Sequence, residues 1–190
     1  MVKRLIIGMS GASGAPLTVE LLRQLHDRCP EVETHLIVTK GGEMTLAQET
    51  GMALAEIQKL ASICHSNRNI GAAPASGSFK SMGMIVAPCS MKTVAGVVSG
   101  YSDNLLLRAA DVMMKERRKL VLVAREAPLS TVHLRNLYEA SQLGAVILPP
   151  MLTYYNGPQS LDDCTRHTVN RILSQFDLDE GSYQWEGMEV

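Results

Sequence analysis

The sequence predicts an α/β sandwich around a mostly parallel sheet, a flavodoxin-like or Rossmann-type fold, and three observations support it. Short, continuous apolar runs alternate with longer amphipathic stretches. Glycine, proline and hydroxyl residues mark the changes between them. No repeat, low-complexity block or linker interrupts the alternation. Continuous apolar runs suit strands buried on both faces of a parallel sheet, with helices packed above and below. At 190 residues the chain can bury a sizeable core, and 1–190 is read as one domain.

Leu5-Ile6-Ile7 lies between charge and Gly8 and reads as the first strand. A glycine-rich turn over 8–15 follows, and Pro16 opens a helix where its missing N–H costs nothing. Val19, Leu21, Leu22 and Leu25 give that helix an apolar side, against Arg23, Asp27 and Arg28. Residues 34–39 read as the second strand, with helices expected over 43–49 and 54–61. The stretch 69–81 holds too many turn formers for either regular element. Residues 83–88 are the third strand, ending in the turn 89–93. A long helix capped by Asp103 is expected over 103–118, then a fourth strand over 119–124 leading into Arg125-Glu126. Ser130 caps a helix running to about Leu143, and 145–148 are the fifth strand. Ser160 or Asp162 starts the last helix, to about Phe176, before an acidic tail.

Composition narrows the function classes. A formal net charge of -1 supplies no general attraction for nucleic acid or an anionic membrane. Cys29, Cys64, Cys89 and Cys164 lie far apart without metal-ligand spacing, as reduced thiols in a cytoplasm would. Five scattered histidines argue against a zinc site. The apolar run before Gly8 is too short for a signal peptide or a membrane span, so a cytoplasmic location is expected. Cys89 reads as a small buried residue, since no histidine partner stands out.

Ligands of open α/β sheets bind outside the carboxyl ends of the strands. Those ends carry the glycine loop, Thr39-Lys40, Ser90-Met91-Lys92-Thr93, Arg125-Glu126 and the stretch 149–155. These turns bear the hydroxyl or cationic groups that a bound phosphate requires. Gly8, Gly11 and Gly14 form G-x-x-G-x-x-G, which differs from the dinucleotide fingerprint. Thr39 stands where an acidic residue would take ribose hydroxyls, so a mononucleotide phosphate fits better. Arg108 and Lys115, seven apart on one helix with Asp111 between them, are either a solvated stripe or a second anion-binding wall.

Six motifs in the same order carry a family resemblance. They are Gly11-Ala12-Ser13-Gly14-Ala15, Ala75-Ser76-Gly77-Ser78, Cys89-Ser90-Met91-Lys92-Thr93, Arg108-Ala109-Ala110-Asp111-Val112 with Lys115-Glu116-Arg117-Arg118, Arg125-Glu126-Ala127-Pro128, and Pro158-Gln159-Ser160 after Tyr155. Over essentially its whole length the chain resembles the UbiX-type flavin prenyltransferases. The resemblance implies transfer of a dimethylallyl group from dimethylallyl monophosphate to N5 and C6 of reduced FMN, without a metal. It also implies a homo-dodecamer with FMN between subunits, and a UbiD-type decarboxylase as recipient of the prenylated FMN. By the same resemblance Gly11, Ala12, Ser13, Thr39, Ser90, Met91, Lys92, Thr93 and Arg125 hold the flavin. Arg108, Lys115, Arg125, Tyr155 and Arg171 hold the prenyl phosphate, and Glu49, Glu126 and Ser13 are the catalytic set, with Glu126 favoured as proton shuttle. The rival readings are an FMN-carrying subunit without its own catalysis and a flavin-dependent cysteine decarboxylase. The latter wants a catalytic histidine after the second strand and an Asn- and Met-containing motif, and neither is found.

Overall fold

The structure, a computed structural model, describes residues 2–179 and Gly187. Six strands form one all-parallel sheet: β1 (Lys3–Met9), β2 (Val32–Val38), β3 (Ile63–Ser66), β4 (Gly83–Cys89), β5 (Lys119–Ala124) and β6 (Val146–Ile147). Their order is β3-β2-β1-β4-β5-β6, the Rossmann arrangement. Without the edge strand β3, the other five stand in flavodoxin order, so both halves of the expected fold class hold. The helices are α1 (Ala15–Arg28), α2 (Lys40–Thr50), α3 (Leu54–Gln58), α4 (Met91–Ser99), α5 (Leu105–Lys115), α6 (Thr131–Gln142) and α7 (Leu161–Leu173).

Strand side chains alternate between two cores. Leu5, Ile7 and Met9 enter the core shared with α1 and α7, while Ile6 enters the one shared with α4, α5 and α6. Both faces of β1 and β4 are therefore dry, which explains their unbroken apolar runs. The order reverses between β1 and β4, and the loops after these two strands frame the switch-point crevice.

Several boundaries move. β3 is a sixth strand in a segment where none was expected; it is mostly exposed and pairs only with β2. β6 has two residues where four were expected. α3 ends at Gln58 rather than 61. α4 follows the turn after β4, with Ser90 as its N-cap. α5 spans Leu105–Lys115, and its cap is Asn104, not Asp103: the Asn104 Oδ1 accepts the Leu107 N–H at 3.1 Å. Ser130 and Ser160 cap α6 and α7 as expected. The acidic tail lies largely outside the described residues. Among the described residues, no helix is long and apolar enough to cross a membrane.

Candidate active site

The glycine loop after β1 is held from two sides. Thr39 donates its N–H to the Met9 carbonyl at 3.0 Å, placing the loop after β2 against it. The Cα of Gly41 sits so close to Gly11 that a Cβ on Gly11 would lie 3.0 Å from it. A Cβ on Gly42 would stand 2.7 Å from the Met9 carbonyl oxygen. These contacts let α2 begin at Lys40, three residues before the expected start, despite two glycines in its first turn. The Thr39 Oγ1 accepts the Gly42 N–H at 3.0 Å, so the hydroxyl expected on FMN caps α2 and keeps its own proton to donate.

α2 returns to the loop at its other end. One carboxylate oxygen of Glu49 accepts the Gly14 N–H at 2.9 Å and the Ala15 N–H at 2.8 Å, capping α1. Burial raises the Glu49 pKa, but hydrogen bonds from Ser13, Gly14 and Ala15 and the Arg125 charge outweigh it, leaving the carboxyl below its usual range. The amides of Gly11, Ala12 and Ser13, by contrast, have no acceptor among the described residues. Arg125 follows β5 and donates its N–H to the Cys89 carbonyl at 3.0 Å. A crevice of about 520 Å³ opens here; Ser13, Glu49, Arg125 and Asp162 are among its polar lining and Pro150, Leu152 and Leu161 among its apolar lining.

The other sequence-predicted residues fall into three groups. Ser90, Met91, Lys92 and Thr93 are the cap and first turn of α4; the Ser90 and Thr93 hydroxyls lie 3.1 Å apart, and Lys92 borders a groove between α4 and α6. Tyr155 and Arg171 converge on His167: the Tyr155 Oη is 3.3 Å from His167 Nε2, and burial followed by the Arg171 charge lowers the His167 pKa. Arg108 and Lys115 lie on α5, across the sheet from α1 and α7, paired with Asp111 at 2.7 Å and Glu116 at 2.5 Å. One copy of the chain thus assembles Ser13, Glu49 and Arg125 in the crevice, and none of Arg108, Lys115, Tyr155 or Arg171 lines it. Glu126 is exposed and accepts the N–H of Ala127 at 3.1 Å. Cys89 is fully buried, and its pKa is driven far up by burial, as a structural thiol's is.

Comparison with known proteins decides the kinship. The Flavoprotein family model matches residues 2–173. The chain is 50% identical over 189 residues to flavin prenyltransferase UbiX of Escherichia coli K12, covering 98% of this chain and 100% of that protein. The crystal structure of AnUbiX (PadA1) in complex with FMN and dimethylallyl pyrophosphate superposes with a TM-score of 0.95 at 46% identity, covering 100% of both chains. A dodecameric FMN-dependent UbiX-like decarboxylase from E. coli O157:H7 gives 0.94 at 48% identity, over 97% of this chain and 100% of that one. The chain belongs to the UbiX-type flavin prenyltransferase family.

In this member of the flavin prenyltransferase family, three polar residues that the six motifs do not mark, Ser10, His167 and His35, have definite places in the fold. Ser10 joins the two switch-point loops, and His167 stands between Tyr155 and Arg171, one helical turn before the latter. Two histidines that look scattered in the chain also meet: His35 Nδ1 on β2 lies 2.9 Å from His65 Nε2 on β3, and His35 Nε2 is 2.9 Å from Glu33. Only strand pairing brings them together.

The Glu49 geometry makes a pH prediction. Its folded-state pKa is lowered, so its stabilisation is fully present above the unfolded carboxyl value and is lost as pH falls through the folded one. Glu49→Gln is expected to lower stability by about 0.5–1 kcal/mol at neutral pH, after solvent screening of a half-open site. The gap should close below about pH 4. Urea midpoints of both proteins across that range check it; a gap independent of pH would exclude the charged cap.

Proposed function

We propose that the protein is a flavin prenyltransferase that moves a dimethylallyl group from dimethylallyl monophosphate to N5 and C6 of reduced FMN. One observation carries the reading: Ser13, Glu49 and Arg125 converge beside a loop whose amides await an acceptor, in a chain half identical to named flavin prenyltransferases. A phosphate or flavin acceptor atom fits the Gly11–Ser13 amides, and the close Gly11–Gly41 contact leaves no side chain in the way.

FMN supplies the nucleophilic ring that takes the prenyl group. The chain's residues do the rest. Arg125 places a permanent cation where phosphate leaves the allylic carbon, which is electrostatic stabilisation by a preorganised donor. Pro150, Leu152 and Leu161 line the crevice with apolar groups that, once covered by a neighbouring copy, keep water from the allylic cation. Holding both substrates in one crevice removes the entropic cost of their encounter. Glu49 stands ionised within reach of the Ser13 hydroxyl, so in this reading it is the base that receives the flavin proton, with Glu126 as the other candidate.

Arg108, Lys115, Tyr155 and Arg171 are assigned to the prenyl phosphate, supplied across contacts between copies in a homo-dodecamer. The exposure of Met151, Leu152, Tyr154 and Leu161 beside the crevice favours a covering neighbour. The scheme uses no metal, runs in the cytoplasm within one domain over 1–190, and hands prenylated FMN to a UbiD-type decarboxylase.

The test is anaerobic incubation with reduced FMN and dimethylallyl monophosphate. Phosphate release and a flavin mass gain of one prenyl unit are expected. FMN binding with neither would shift the reading to an FMN-carrying subunit.

A further inference from the structure

Ser10 directly follows β1 within the glycine-rich turn, one residue before Gly11, and is 2% exposed. Its hydroxyl makes two bonds across the switch point. Oγ donates to the Pro88 carbonyl at 2.9 Å and accepts the Ser90 N–H at 2.8 Å. The Ser10 N–H also donates to Pro88 O, at 3.2 Å. Ser90 is the cap of α4, so the Ser10 hydroxyl grips the residue that starts the second flavin-binding turn. It uses a proton and a lone pair at once, which a hydroxyl can do and a methyl cannot.

We infer that Ser10 is a positioning residue that sets the spacing between the Gly11–Ser13 loop and the Ser90–Thr93 turn, and with it the geometry of the flavin seat. This rests on the flavin-binding reading above. Losing the hydroxyl leaves the part-buried Ser90 N–H without its acceptor and takes one donor from the Pro88 carbonyl. The two turns are then free to drift apart, and a loosened first turn lowers affinity for a ligand that bridges both.

Thr18 supplies the control. It is fully buried on α1, and its hydroxyl donates to Ala87 O, one residue before Pro88, without touching the Ser90 cap. Thr18→Val removes a buried hydrogen bond to the same strand end and leaves the turn-to-turn link intact.

The experiment measures FMN affinity by flavin fluorescence, alongside thermal midpoints, for wild type, Ser10→Ala, Ser10→Thr and Thr18→Val. Both Ser10→Ala and Thr18→Val should lower the midpoint. Only Ser10→Ala should weaken FMN binding, by about tenfold, with an altered bound-flavin absorption band, and Ser10→Thr should restore both. Wild-type affinity in Ser10→Ala, or an equal loss in Thr18→Val, overturns the inference while leaving the flavin reading intact. A wild-type protein that binds no FMN overturns both.

Discussion

Arg125→Ala is expected to lower kcat/KM for prenyl transfer by about 10²–10³-fold, the usual loss when a preorganised donor to a developing anion is removed. The reason is local. The Arg125 backbone is tied to Cys89, at the end of the neighbouring strand, so the guanidinium starts from a rigid base at the crevice rim. Its charge also helps keep Glu49 ionised, so the substitution should raise the Glu49 pKa as well as remove the counter-charge proposed for the phosphate. Two effects should then appear together: slower phosphate release, and an acid limb of the rate profile displaced to higher pH. Arg125→Lys keeps the charge but loses the planar fork, and an intermediate rate is expected. Arg171→Ala should raise KM for the prenyl phosphate and leave FMN affinity near wild type. Anaerobic phosphate release with reduced FMN measures all three. Unchanged turnover in both Arg125→Ala and Arg171→Ala would remove these residues from the site.

Most of the sheet and half of the crevice are legible from residue order, and the physics shows why the remainder is not. β1, β4 and β5 are dry on both faces, so their apolar runs are unbroken and easily seen. β3 lies at the edge, with exposed Ile63 and Cys64, and carries no such run. The start of α2 is hidden because local propensity disfavours Gly41 and Gly42, whereas the fold needs them bare against Gly11 and Met9. Ser13 and Arg125 follow from the rule that strand ends face the ligand. The place of Glu49 does not follow from it: the carboxylate reaches Gly14 and Ala15 only because α2 spans from one side of the glycine loop to the other. Ser10 is invisible for a similar reason, since its partners at Pro88 and Ser90 lie some eighty residues away. Arg108 and Lys115 do share a helix, as their spacing predicts, yet each is paired with its own acid in the single chain.

Gly83→Ala is expected to destabilise the protein by about 3–5 kcal/mol, at the upper end of single-substitution losses, because backbone must move to admit the methyl. Gly83 opens β4 between Leu5 of β1 and Lys119 of β5. Its φ is +151°, a conformation side chains rarely adopt. A Cβ there would lie 2.3 Å from the Lys119 carbonyl oxygen and 2.8 Å from the Phe176 ring. Neither neighbour can yield cheaply. The Lys119 carbonyl belongs to a paired strand, and Phe176 is buried in the core that α1 and α7 share. Lys119 adds a second tie, because its ammonium donates to the Gln175 carbonyl and lies over the Phe176 ring. The methyl would therefore push on the sheet and on the closing turn after α7 together. Since Arg171 stands on that helix, the damage should also raise KM for the prenyl phosphate more than it weakens FMN. Urea unfolding, at fixed protein concentration to hold assembly constant, reads the first effect and steady-state kinetics the second. A midpoint shift worth less than about 1 kcal/mol would mean that β4 and β5 can separate at Gly83 without loss, contrary to the packing described.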